Sequence, residues 1–339
     1  MSHDTQHSSA PTLEEVAVVA GVSRSTVSRV INASPRVTPE AIAAVERAIA
    51  QLGYVPNRAA RILASRRTFA IALVIPENTA KFFADPYFAS VIQGVALGLS
   101  STAYTLSLLI APESDAEKTR NFLQAGNVDG ALILSHHSDD RSYLALSRTL
   151  PVVFGGRPMS DEGERAYYVD VDNVAAAEHA VRHLISRGRR RIATIAGPAD
   201  MAAGLDRVEG WRRALTDAGL IADLVERADF TPAGGEDAMR RMLARGIPFD
   251  ALFAASSQMA SGALGVLREH GISVPDDIAI ASIDNDYFAQ SATPRLTTIE
   301  QPSVEVGRTM ARLLVDRIEG RDVAQVTIMP TTLVHGDSV

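Results

Sequence analysis

The chain contains no cysteine, which excludes disulfides, thiolate zinc sites and cysteine nucleophiles and leaves the redox compartment open. It lacks any apolar run approaching the roughly 18 residues of a membrane span, and Met1 to Ala10 is polar, without the basic-then-apolar order of a secretory signal. A cytoplasmic protein is expected, with Ser2 to Ser9 a frayed tail. No G-x-x-x-x-G-K-[ST], G-x-G-x-x-G, H-E-x-x-H or G-x-S-x-G occurs, so the common spacings of nucleotide loops, metalloproteases and serine hydrolases are missing. The closing stretch V-T-I-M-P-T-T-L-V is strand-like, and no heptad repeat follows it to suggest a tetramerising coiled coil.

Positive charge is scarce overall. The 33 Lys and Arg face 40 Asp and Glu, for a net charge of -7, which by itself argues against a nucleic-acid partner. The distribution argues the other way. Residues 11–67 hold eight arginines and four glutamates, a balance of +4, so that with Asp4 set aside residues 68–339 carry -10. A small basic head on an acidic body is the footprint expected of a DNA-binding protein.

The head has its own pattern. Thr12 followed by Glu15 makes a capping box, and Leu13, Val16, Ala17 and Ala20 recur on one helical face before Gly21 stops the helix. Ser23 caps a second helix, where Val22 staples onto Val27 and the stripe continues through Val30 and Ile31. Arg24, Ser25, Ser28 and Arg29 then share the outer face. Thr38 and Pro39 begin a third helix, with Ile42, Val45, Ile49 and Leu52 inward and Gly53 at its end. Two helices joined by a short glycine turn form a helix-turn-helix. An outer face with two arginines and two hydroxyls suits a major groove, since arginine binds guanine bidentately and serine contacts bases or phosphates. A basic three-helix module that binds protein would carry the same face. The next stretch, Pro56-Asn57-Arg58-Ala-Ala-Arg-Ile-Leu-Ala64, is too short for a stable isolated helix.

With those residues in place, the chain closely resembles the LacI/GalR family of bacterial transcription regulators: T-L-x-x-V-A-x-x-A-G-V-S-x-x-T-V-S-R-V, then Y-x-P-N-x-x-A-R-x-L. The resemblance implies that Arg24 and Ser25 read operator bases and that Arg29 is the contacting arginine of the same helix. Thr12, Ser23, Thr26, Ser28 and Asn32 complete the DNA-facing set of that module, with Tyr54, Asn57, Arg58 and Ala60 following. Leu63 falls on the hinge leucine that, paired with its twin, wedges into the central minor-groove step and kinks it. The expected partner is a pseudo-palindromic double-stranded operator bound by a homodimer.

From Phe69 onward short apolar runs (A-I-A-L-V-I, Y-T-L-S-L-L-I, G-A-L-I-L, P-V-V-F, Y-Y-V-D-V, R-I-A-T-I-A, A-L-F-A, I-A-I-A-S-I) alternate with helical stretches such as Pro86–Leu99, Ala116–Gln124, Val174–Arg187, Leu205–Ala218 and Met259–His270. That rhythm predicts parallel sheets with crossover helices, and the span is too long for one sheet, so two Rossmann-like subdomains with a ligand cleft between them are expected. The family likeness continues through P-V-V-F-G-G-R-P, V-D-V-D-N and I-D-N-D-Y-F-A-Q-S-A-T-P-R-L-T-T-I-E-Q-P. The fold it implies is α/β: an N-terminal helix-turn-helix domain over 11–56, a hinge over 57–67, and a periplasmic-binding-protein-like core over 68–339. Crossings near Val169, Pro294 and Pro330 would divide that core into subdomains of about 68–168 with 295–329 and about 169–294 with 330–339.

For the cleft, Asp85, Tyr87 and Phe88 follow the first strand in F-F-A-D-P-Y-F. Arg157 follows the fourth strand and is a further candidate, while the resemblance places Arg207 and Asp284 at effector-contacting positions and adds Ser256. Each has an ordinary alternative: Asp85 as a helix cap, Tyr87 and Phe88 as packing, Arg207 in a salt bridge to Asp200 or Asp206. Trp211 reads as core. Ser256-Ser257 stands where relatives commonly carry Asn-Asp. A sugar-like effector is expected, a mono- or oligosaccharide, with a purine or nucleoside as the rival. His136-His137 near Asp139 and Asp140 reads as a solvated loop before a metal site, and Asp170 with Asp172 as neighbours on one strand face. No cofactor is expected, and catalysis finds no support. Of the competing functions, a transport binding protein would need a signal peptide and no basic head, and a glycoside-processing enzyme would turn sugar over.

Overall fold

The computed structural model describes residues 11–31, 36–54, 67–111, 116–137, 142–159 and 166–339, and the chain divides into two compact units between Phe69 and Ala70.

The first unit contains α1 (Leu13–Ala20), α2 (Arg24–Ile31) and α3 (Pro39–Leu52). Its helix ends are set by local chemistry. The Glu15 amide donates to Thr12 Oγ1 at 3.3 Å and the Thr12 amide to Glu15 Oε2 at 2.7 Å, so two orphan amides of the first turn are satisfied reciprocally. Gly21, at φ 66°, closes α1 in the left-handed region that a side chain would disfavour. The Thr26 amide donates to Ser23 Oγ at the head of α2. Val16, Ala17, Val27, Val45, Ala48 and Tyr54 form the core, with Val22, Val30, Ile31, Ile49 and Leu52 packed around it.

The second unit opens with β1 (Ala70–Ile75), α4 (Thr79–Ala84), α5 (Pro86–Leu99), β2 (Thr105–Ile110), α6 (Ala116–Gln124), β3 (Gly130–Leu134), α7 (Ser142–Leu146), β4 (Val152–Gly155) and β5 (Tyr167–Val171). Next come α8 (Asn173–Ser186), β6 (Ile192–Ala196), α9 (Ala202–Asp217), β7 (Val225–Arg227), α10 (Pro232–Ala244), β8 (Ala251–Ala254), α11 (Ser257–Glu269), β9 (Ala279–Ile283), α12 (Tyr287–Ser291) and β10 (Thr297–Glu300). The chain closes with α13 (Ser303–Ile318), β11 (Val326–Met329) and β12 (Thr332–Val334).

These strands make two six-stranded sheets, ordered β11-β5-β4-β3-β1-β2 and β12-β10-β9-β8-β6-β7. Every neighbouring pair is parallel except β10 with β12. Helices cover both faces, which is why β1, β3, β6 and β9 are buried at every position and read as mainly apolar runs, with Thr194 in β6 and Ser282 in β9 as buried hydroxyls. This is the expected doubly wound architecture in two lobes.

The chain leaves the first sheet after Val171, leaves the second after Glu300 and divides β11 from β12 at Pro330. The middle crossing comes later than Pro294, because T-T-I-E pairs with β9 (Thr297 beside Ala281, Ile299 beside Ile283) and so belongs to the second lobe. Likewise β5 runs on past Val169. The strand-like tail is two strands, one in each sheet.

Within the first lobe α5 and α13 touch backbone to backbone. A Cβ on Gly94 would stand 1.9 Å from the Val304 carbonyl oxygen, and one on Gly307 2.1 Å from that of Val91. Only glycine fits either contact.

Candidate functional site

Ser23, just before α2, is exposed, as are Arg24, Ser25 and Arg29 on it, while Thr26 and Ser28 are half-buried. Arg24 pairs with Glu14 at 3.0 Å, with both side chains well exposed. Such a pair is worth under about 1 kcal/mol and is readily exchanged for a base or phosphate. Ser23 Oγ lies 2.8 Å from Ser25 Oγ and 2.9 Å from Thr26 Oγ1, a hydroxyl chain that orders the start of the helix. Thr12 is an exposed cap of α1. Tyr54, placed among the DNA contacts by its motif position, is only 7% exposed and packs in the three-helix core. Its ring belongs to the same buried cluster as Val16, Val27 and Val45. Asn32, Asn57, Arg58, Ala60 and Leu63 lie outside the described residues.

In the second unit a cleft opens between the strand ends of the two lobes. Asp85, Tyr87, Phe88, Arg157, Arg207, Ser256 and Asp284 all line it, although they come from segments as far apart as the loop after β1 and the end of β9.

Arg207, on α9, is 6% exposed. Its Nε donates to Asn173 Oδ1 at 2.9 Å and one terminal nitrogen to the Ala255 carbonyl at 2.6 Å, and its guanidinium sits 5.7 Å from the centre of the Phe230 ring. The salt-bridge alternative fails on geometry, since Asp206 is taken by Arg157 and Asp200 by His137. Two of five N–H donors are used within the described residues, leaving the others for a ligand.

Asp85 caps α5, accepting from the Tyr87 amide at 2.9 Å, and also lines the cleft, so cap and cleft residue are one. Burial pushes its carboxyl up to about 6, opposed by that amide and reinforced by the charges of Asp284 and Asp286. Asp284 has a left-handed backbone, φ 79°, uncommon for a residue with a side chain and the kind of strain retained at binding sites. Burial also pushes its carboxyl up to about 6, against the pull of Arg207, while Gln301 Nε2 donates to it at 2.6 Å.

Phe88 is 2% exposed and stacks near Phe82, while Tyr87 is half-buried and its hydroxyl is raised by burial. Arg157 holds Asp206 with its guanidinium, at 2.7 and 2.8 Å, and donates its amide to Asp170. Trp211 is fully buried and donates to the Ile192 carbonyl.

Several lining residues were not singled out from the sequence: Lys81, Ser135, Asn173, Phe230, Gln258 and Gln301. Only Asn173 and Gln301 stood in quoted motifs, V-D-V-D-N and the stretch ending T-T-I-E-Q-P. The His136-His137 loop is not solvated. His136 lines the cleft and His137 lies between Glu77 and Asp200. Asp170 and Asp172 do not pair either. Asp170 accepts from the Arg157 and Val171 amides and from Asn173 Nδ2, whereas Asp172 lies past the strand and caps α8 through the Ala175 amide. Among the described residues no cluster of three or more His, Asp or Glu is arranged to hold a metal ion.

Residues 12–57 match the family model of bacterial regulatory proteins, lacI family, and residues 181–339 that of the periplasmic binding protein-like domain. The HTH-type transcriptional regulator CelR of Thermobifida fusca is 47% identical over 326 residues, spanning 95% of this chain and 96% of that protein. The chain is a member of the LacI family of bacterial transcription regulators. Among solved structures, this regulator superposes on a complex of the transcriptional regulator CelR with cellobiose at a TM-score of 0.78, with 44% identity and coverage of 97% of this chain and 100% of that one. It superposes on the lac repressor dimer bound to operator and the anti-inducer ONPF at 0.84, with 26% identity and coverage of 97% and 99%.

In this LacI-family protein the Ser256-Ser257 pair serves the second lobe's own structure. Ser256 Oγ accepts from the Met259 amide at the head of α11, and Ser257 Oγ donates to Asp286 at 2.7 Å. Both hydroxyls are therefore engaged within the lobe. No helix among the described residues is long and apolar enough to cross a membrane.

Proposed function

We propose that this regulator represses transcription in the cytoplasm as a homodimer on a two-fold symmetric operator, and that a neutral sugar in the cleft sets its operator affinity without being turned over. The foremost candidate is a β-linked glucose disaccharide of the cellobiose type. The observation that carries this reading is the company Arg207 keeps. It is a buried guanidinium with no ion pair among the described residues, sharing one cleft with the carboxylates of Asp85, Asp170 and Asp284 and the rings of Tyr87, Phe88 and Phe230. Carboxylates accept from sugar hydroxyls, the guanidinium donates to them, and aromatic faces cover the apolar side of a pyranose. Three carboxylates against one free guanidinium disfavour an anionic ligand such as a nucleotide. The CelR complex with cellobiose supports the same ligand class.

Arg24, Ser25 and Arg29 are assigned the base and phosphate contacts, and Leu63, in the segment outside the described residues, the minor-groove wedge. A ligand moves the DNA-binding equilibrium only through unequal affinity for two conformations of the core.

Titration calorimetry of the full-length protein with cellobiose, other sugars and hypoxanthine tests the cleft assignment, and DNA-binding anisotropy with and without each ligand tests the coupling. Cellobiose or a close β-glucoside should bind and change operator affinity. Binding of hypoxanthine where every sugar fails would replace the sugar with a purine.

A further inference from the structure

Two polar bridges span the lobes on one side of the cleft. His137, in the loop after β3 of the first lobe, lies between two carboxylates. Its Nε2 is 3.2 Å from Glu77 Oε1 in the same lobe, and its Nδ1 is 2.8 Å from Asp200 Oδ2 in the second. Lys81 Nζ at 2.8 Å and Ser135 Oγ at 2.7 Å, also from the first lobe, hold the same Glu77 oxygen. Glu77 is therefore anchored within its own lobe, and among the described residues Asp200 is the partner of His137 from the other. The second bridge joins the Arg157 guanidinium to both oxygens of Asp206.

Asp200 lies two residues before α9, ahead of its cap Met201, and Asp206 lies one turn into it. Between and beside them, Met201, Ala202, Ala203 and Arg207 line the cleft. The two bridges thus clip the ligand-facing start of α9 to the first lobe from both ends.

We propose that His137 is a positioning residue that clamps the start of α9 against the first lobe and thereby sets how tightly the cleft holds its effector, without touching the effector itself. An imidazole can donate from both nitrogens only as imidazolium. Carboxylates on both sides favour that form, and the hydrogen bond to Glu77 is the largest contribution lifting His137 to about 9. If the lobes part, His137 keeps Glu77 and loses Asp200. The bridge therefore favours the closed arrangement over the open one, which is the differential contact a conformational bias requires. The link to effector affinity rests on the cleft being the effector site. The clamp itself does not depend on which ligand enters.

The absence of cysteine allows a direct test on the full-length protein. Lys118→Cys on α6 and Ala233→Cys on α10 are exposed sites on opposite lobes and accept spin labels for distance measurement. In this background His137→Gln and Asp200→Asn should each shift the ligand-free distance distribution to longer values, with the double variant no further displaced than either single one. Asp200 is 41% exposed, so Asp200→Asn leaves the fold undisturbed even if His137→Gln does not. Cellobiose affinity by calorimetry should fall roughly ten-fold in each variant. Wild-type affinity should also weaken between about pH 8 and 10 while that of His137→Gln stays flat, a signature that simple loss of packing does not produce. Wild-type distances in both variants would overturn the clamp. If cellobiose fails to bind even the wild type, the fault lies with the effector assignment, and the distance measurement decides the clamp alone.

Discussion

Asp85 and Asp284 come from opposite lobes and line one cleft, and the charge of Asp284 raises the proton affinity of Asp85 across it. Burial raises both carboxyls to about 6 from an ordinary 3.8. The folded protein therefore binds these protons more tightly than the unfolded chain. The associated stability is fully present below about pH 3.8 and is lost as pH rises through about 6.

Replacing both with asparagine removes this dependence, and the side-chain amide oxygen introduced by Asp85→Asn can still accept at the cap of α5. Between about pH 4 and 7 the stability of the wild-type core should fall relative to Asp85→Asn/Asp284→Asn by on the order of 5 kcal/mol, from two groups each raised from 3.8 to about 6 at about 1.4 kcal/mol per pH unit. Calorimetric melting at several pH values checks this. A constant gap between the two proteins would mean that the buried carboxylates titrate normally.

Arg207→Ala should weaken effector binding ten-fold or more, since each polar group stranded in the closed cleft costs about 1 to 3 kcal/mol. Arg207→Lys should recover little, because an ammonium cannot reach Asn173, the Ala255 carbonyl and a ligand with the geometry of a planar fork. Titration calorimetry reads both losses, and operator binding without ligand should be unchanged.

On α2, Arg29→Ala should weaken operator binding, and exchange of Arg24 or Ser25 should alter base preference, at roughly 1 to 3 kcal/mol per lost contact. Tyr54→Ala should act differently, lowering the melting temperature of the helical unit before any direct effect on recognition. Fluorescence anisotropy over a set of operator variants, with melting curves alongside, separates the two. Footprinting should show a two-fold symmetric site.

Gly94→Ala and Gly307→Ala test the contact between α5 and α13. The added carbon collides with a backbone carbonyl in each case, and overpacking of this kind costs about 1 to 3 kcal/mol or more. Urea denaturation of the core should show the loss, with the helix-turn-helix unaffected.

Much of the framework was legible along the chain because it depends on neighbours in sequence. The capping box at Thr12 and Glu15, the glycine stops, and Asp85 with Pro86 at the head of α5 bring their own partners within four residues, so those helix ends fall where expected. The buried strands announce themselves for a similar reason, since parallel strands covered on both faces are apolar over most of their length. Position after a strand together with family likeness then picked out seven residues that line one cleft. Their surroundings were not legible. His137 meets Asp200 across 63 positions, Arg207 meets Ala255 across 48 and Gln301 meets Asp284 across 17, and nothing in the local pattern of any of these segments marks the partner. The same holds for T-T-I-E, whose four residues could serve either lobe until pairing with β9 assigns them, and for Tyr54, whose burial in the three-helix core no local pattern announces. Periodicity and caps report the conformation of a segment. Which charges end up facing one another is decided when the chain crosses between two sheets and closes a cleft.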